Sequence, residues 1–101
     1  LFCQVLGTLL GSGTPLKYAL ERAAAMYPPE AETTLFEAVQ SLGAEESLTN
    51  TLAKTGLLPP VALQMLAVGE ETGALALLAE KAAEFLRFQA EAQVEAELTS
   101  G

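Results

Sequence analysis

The chain has 101 residues, half of them apolar, and a formal net charge of −8, so it is one domain's worth of protein with material for a core. Only five Lys and Arg are present; too few to neutralise a run of phosphates, they exclude nucleic acid as a partner, and the net charge disfavours an anionic lipid surface. All 13 acidic residues are Glu, Asp and Trp are absent, and Ala and Leu are abundant, a composition that predicts an all-α fold with a core of Leu, Ala and Val.

Punctuation divides the chain into six predicted helices. Leu1 to Leu10 carries Phe2, Leu6, Leu9 and Leu10 at helical spacing, with Gln4 and Thr8 on another face. Gly11-Ser12-Gly13 supplies a turn. Thr14-Pro15 reads as a capping hydroxyl followed by proline at the first helical position. Leu16, Ala19, Leu20 and Ala23 then define a buried face, and Pro28-Pro29 ends the second helix.

The third helix begins near Pro29, with Glu30 and Glu32 at its positive end. Its apolar stripe is Ala31, Leu35, Ala38, Val39 and Leu42, and Gly43 closes it. A short fourth helix starts after Ser47, with Leu48 and Leu52 one turn apart. Gly56 terminates it and Leu57 folds back towards Leu52. Pro59-Pro60 starts the fifth helix, whose Val61, Leu63, Met65, Leu66 and Val68 leave little polar face and predict a central, surrounded element.

Gly69 to Gly73 is expected to break that helix, with Thr72 capping the next and Glu70-Glu71 near its positive end. The last helix is predicted from Ala74 to Leu98, about 37 Å long. Leu75, Leu78, Ala82 and Phe85 are expected inside, and Glu80, Glu84, Arg87, Glu91 and Glu95 on the wet face. Beyond Phe88 only Val94 and Leu98 are large and apolar, so the helix is expected to project past its bundle. No internal repeat is evident.

Chemistry is scarce. Without His or Asp, a Ser-His-Asp or Cys-His arrangement cannot form. Gly11-Ser12-Gly13 lacks the lysine and spacing of a phosphate-cradling loop. Glu45-Glu46 and Glu70-Glu71 are adjacent pairs, and adjacent helical side chains diverge instead of forming a dyad. Glu70-Glu71 with other oxygens would suit a hard cation, but the usual Asp/Asn-rich loop is missing. Cys3, the only cysteine, allows no internal disulfide and reads as a small buried hydrophobe in a reducing compartment. No catalytic, cofactor or metal site is therefore expected.

The longest charge-free stretches, Leu1 to Leu16 and Thr55 to Gly69, are shorter than the roughly 18–20 residues a membrane-crossing helix needs. The first residues lack a basic region and a cleavage site, so no signal peptide is read. Leu1 is not a natural start, which reads the chain as a piece excised from something longer.

Three motifs carry a resemblance. Leu57-Leu58-Pro59-Pro60 through Val68-Gly69-Glu70-Glu71-Thr72-Gly73 resembles the signature stretch of the type II secretion F domain, a proline-led apolar helix ending in VGEETG. Phe2-Cys3-Gln4-Val5-Leu6 through Gly13-Thr14-Pro15-Leu16, completed by Ala19-Leu20, is similar to that family's FxRxLxxLLxxGxPLxxAL pattern. Glu46-Ser47-Leu48 with Leu52 resembles its GxSLxxAL segment, while Tyr27 to Ala44 is similar only in helical pattern.

The resemblance implies a compact six-helix bundle, residues 1–101, occurring as one of two copies in a longer bacterial inner-membrane platform protein of type II secretion or type IV pilus assembly. It implies a cytoplasmic, non-catalytic scaffold that couples an assembly ATPase to pilin or pseudopilin assembly, with other platform components and a second copy of itself as partners. The family-motif positions carried over are Gly13, Pro15, Leu16, Pro59, Pro60, Gly69, Thr72 and Gly73. From the acidic surface, Glu70, Glu71, Glu80 and Glu84 are the expected partner contacts, steering a basic protein. Two other classes are carried beside it: a soluble adaptor binding a partner helix in a groove, and a small enzyme using glutamates with a bound metal.

Overall fold

The structure, a computed structural model, describes residues 1–43 and 45–100; Ala44, at the end of the weakly matching middle stretch, and Gly101 lie outside the described residues. Six helices are connected in order: α1 (Phe2–Gly11), α2 (Leu16–Ala24), α3 (Pro29–Gln40), α4 (Leu48–Ala53), α5 (Pro60–Thr72) and α6 (Leu75–Ser100). No strand occurs among the described residues. The all-α, six-helix architecture with a long last helix is the one expected.

One apolar cluster holds the bundle. Leu6 of α1, Leu20 of α2, Leu35 of α3, Leu52 of α4 and Leu66 of α5 are fully buried, and Ala79 and Ala82 of α6 close the centre. Burying each of these leucines is worth about 1.5–3 kcal/mol relative to leaving it in water. α6 packs most extensively on α1 and α5, and the other main contacts run α1 to α2, α2 to α3, α3 to α4 and α4 to α5. Small residues on α6 let its neighbours approach closely, as an Ala-rich core requires.

Helix ends follow local chemistry. Gly13, at φ 93°, lies just past α1, whose end is sealed by Gly13 N–H to Leu10 O (3.1 Å) and Thr14 N–H to Leu9 O (3.0 Å). Thr14 thus closes α1 and does not cap α2; Pro15 is the N-cap of α2, with no side-chain bond, one residue later than expected. Pro29 and Pro60 each occupy the first helical position, where a missing N–H costs nothing. α3 ends at Gln40, three residues before Gly43, with Ser41 as its cap.

Three expectations about α5 and α6 are overturned. α5 is not surrounded: Val68 is 50% exposed, Gln64 is exposed, and only Ala62, Leu66 and Gly69 are buried. A chain this short has too few helices to enclose one on all sides. Phe85 does not pack inward and is 39% exposed; at 100° per residue it stands about 120° around the helix from Ala79, and the buried seam passes through Ala79, Ala82 and partly buried Leu86 instead. The break is confined to Gly73 and Ala74. α5 runs through Gly69 to Thr72, Gly73 adopts φ 72°, and Ala74 N–H reaches back to Gly69 O at 2.9 Å.

α6 outlasts its partners, as its sequence pattern indicates. Its 26 residues span about 39 Å, and every residue from Arg87 to Thr99 is exposed. The overhang accounts for the long 49 Å axis of a body otherwise 30 × 22 Å across. No helix among the described residues is long and apolar enough to cross a membrane.

Candidate interaction site

Glu70 lies in the last turn of α5, where the helix dipole disfavours a carboxylate. Its side chain turns away to the start of α4. Leu48 N–H donates to Oε2 at 2.5 Å, and the Thr49 N–H (3.1 Å) and hydroxyl (2.9 Å) both donate to Oε1. Ser47 Oγ accepts from Asn50 N–H at 3.0 Å, and Ser47 O accepts from Thr51 N–H at 3.1 Å. The Leu48, Thr49 and Asn50 N–H groups, which have no acceptor within α4, are therefore all satisfied, two of them by a residue from another helix.

Burial alone would push the Glu70 carboxyl up, but the backbone donors of Thr49 and Leu48 and the Thr49 hydroxyl together outweigh it and hold it below the ordinary glutamate value of 4.5. An anion at a helix N-terminus is the favourable arrangement. Glu70 is thus committed to holding α4, and the expectation that it serves the positive end of α6 is corrected. Thr72 is corrected with it: its hydroxyl donates to Val68 O within α5 at 2.7 Å and does not cap α6.

Two glycines bring α6 against its neighbours. A methyl group at Gly69 would stand 2.8 Å from Leu78 Cβ, 3.0 Å from Leu75 Cα and 3.1 Å from Ala74 O. At Gly7 it would meet Glu80 Cγ at 2.7 Å, Glu80 N at 3.0 Å and Ala76 O at 3.1 Å. Both are helix-interior positions where glycine is intrinsically unfavourable by about 1 kcal/mol relative to Ala, so close approach is what they provide. Gly7 was not singled out from sequence, although an isolated glycine inside a helical pattern signals a packing role.

The four glutamates expected to contact a partner fall into two pairs. Glu70 and Glu71 border an open cleft with Ser47, Thr49, Asn50 and Ala67; Glu71 is exposed, Glu70 half-buried. Glu80 and Glu84 border another with Gln4, Thr8, Ala83 and Arg87. Glu80 lies along α1, within reach of Gly7 and Gly11, and Glu84 Oε2 is 3.8 Å from Lys81 Nζ, both exposed. Exposed pairs of this kind contribute little to stability; Glu71, Glu80 and Glu84 are all exposed. No group of three or more His, Cys, Asp or Glu among the described residues is arranged to hold a metal.

Cys3 is 4% exposed and burial pushes its thiol up, which makes it an inert core residue. The folded protein is therefore expected to react with a thiol reagent only as fast as it opens, with full reactivity on adding denaturant. Rapid labelling in buffer alone would contradict this placement.

The family motifs now meet in space. The first motif supplies Gly7 against α6, the third supplies Gly69 against α6, and Glu70 of the third holds Leu48 and Thr49 of the second. A family model described as Type II secretion system (T2SS), protein F matches residues 2–100. The chain belongs to the type II secretion F family. It is also similar to the type IV pilus assembly protein PilC of Myxococcus xanthus (strain DK1622), at 31% identity over 94 residues. The match takes in 92% of this chain and 22% of that relative's length. Within the family's motifs, Pro15 and Pro59 are N-caps, Pro60 opens α5, Leu16 opens α2 and packs against the core, and Gly13 and Gly73 form turns. The F family is one of secretion and pilus machinery.

Proposed function

We propose that this chain is a non-catalytic scaffold domain of a bacterial inner-membrane platform protein, lying on the cytoplasmic face and coupling an assembly ATPase to pilin or pseudopilin assembly. The observation that carries this reading is the F-family match over residues 2–100. The geometry supports a mechanical role. Close-packed helix pairs at Gly7 and Gly69 make α6 continuous with the bundle, and a 26-residue helix of which about half stands free transmits displacement without bending at a joint. Single-domain organisation within a longer membrane protein, occurring beside a second copy, belongs to the same proposal.

Electrostatic steering is its testable part. Lys substitution at Glu71, Glu80 and Glu84, leaving Glu70 in place, is expected to weaken binding to the assembly ATPase of the same organism by about tenfold at low salt and to flatten its salt dependence. Titration calorimetry of the purified partners at two salt concentrations measures both. Unchanged affinity and an unchanged salt slope would remove these glutamates from the interface.

A further inference from the structure

We infer that the outer face of α6 around Phe88 docks an arginine-bearing amphipathic helix of a partner protein. At about 100° per residue, Leu77, Glu84, Phe88, Glu91 and Glu95 fall within roughly 30° of one line on the side of α6 opposite Ala79. Leu77 is 52% and Phe88 68% exposed. Glu91 and Glu95 flank Phe88 at one and two turns, are exposed, and form no ion pair among the described residues. Scattered single hydrophobes need no explanation, but here Leu77 and Glu84 on the bundle share one line with Phe88, Glu91 and Glu95 on the overhang, and of the three carboxylates only Glu84 has a cation beside it, Lys81.

The chemistry selects the occupant. Leu77 and Phe88 are three turns apart, about 16 Å along the axis, so they match a helical partner with an apolar stripe of that length. Carboxylates on the same line as Leu77 and Phe88 demand cations among and alongside the partner's apolar residues. Arginine meets both needs, since a guanidinium pairs with a carboxylate and also stacks over an aromatic face such as that of Phe88. A second copy of this face would oppose glutamate with glutamate, and an anionic bilayer would be repelled in the same way. This inference shares only Glu84 with the residues assigned to the ATPase, and its test substitutes Phe88, Glu91 and Glu95 and uses a peptide in place of the ATPase, so either can fail alone.

The test measures fluorescence anisotropy of a labelled peptide of about 18 residues, long enough to be helical on binding, carrying leucines at i, i+4, i+7 and i+11 flanked by arginines. The 101-residue chain is expected to bind it in a salt-dependent way. Phe88→Ser, and separately Glu91→Lys with Glu95→Lys, are expected to weaken binding about tenfold or more. A control pair of equal charge change, Glu30→Lys with Glu37→Lys on α3, is expected to leave it nearly unchanged. Circular dichroism of each variant confirms retained helix. The inference is overturned if the peptide does not bind, if a scrambled peptide of the same composition binds equally, if the control pair weakens binding as much, or if Phe88→Ser has no effect. Binding of the chain to anionic vesicles in preference to the peptide would likewise overturn it.

Discussion

Replacing Gly69 by alanine is expected to destabilise the domain by about 1–3 kcal/mol, the usual cost of overfilling a close-packed contact, and to lower Tm by roughly 5–20 °C. The sign is the informative part. In an ordinary helix interior the same change stabilises by about 1 kcal/mol through backbone propensity. At Gly69 the new methyl meets Leu78 Cβ, Leu75 Cα and Ala74 O at 2.8 to 3.1 Å. None of these atoms lies on a swinging side-chain end, so α6 itself must move. Gly11 provides the contrast, because the nearest atom to its added methyl is Glu80 Oε1 at 3.8 Å, an ordinary contact. Gly11→Ala is expected to be neutral or slightly stabilising in the same thermal melt. Equal effects at the two positions would refute the tight α5–α6 contact.

Replacing Glu70 by alanine is expected to cost about 2 kcal/mol, since hydrogen bonds to a charged group are each worth about 1.5–3 kcal/mol and part of that is recovered by water. The loss strands the N–H groups of Leu48 and Thr49, and the damage should concentrate in α4. The pH dependence has a definite sign. Glu70 titrates lower in the folded protein than its ordinary 4.5, so its contribution is fully present above that value and is lost as pH falls through the folded value. The stability gap between the native chain and Glu70→Gln should accordingly be flat near neutrality and close below about pH 4.5. Denaturant unfolding at a series of pH values measures it, and a gap that widens in acid would mean the carboxylate is not the cap.

Much of the fold was legible because its signals are local. The Pro29 and Pro60 starts, the opening of α4 after Ser47 and the Leu48–Leu52 spacing each depend on residues within a turn of one another, and each stands where the pattern put it. The overhang was legible too, from the thinning of large apolar residues beyond Phe88. What sequence could not carry was the direction of long-range contacts. Glu70-Glu71 beside a following helix looks like a local cap, and only the tertiary approach of α4, 22 positions upstream, captures the carboxylate. A partial signal existed: the Ser47 side chain accepts from the Asn50 N–H, which leaves the Leu48 and Thr49 N–H groups to find an acceptor elsewhere. Phe85 failed for a different reason. Apolar residues on a helix as alanine-rich as α6 mark more than one stripe, and period alone does not choose which of them faces the core.

The Glu70 clasp also fixes an order of events. Six residues are far too few for a helix to persist in water on its own, so α4 cannot exist before the end of α5 has been built and delivered to it. In refolding, α4 should therefore be among the last segments to gain amide protection. In the native state it should be among the first to exchange, opening while the α1, α5 and α6 amides stay closed.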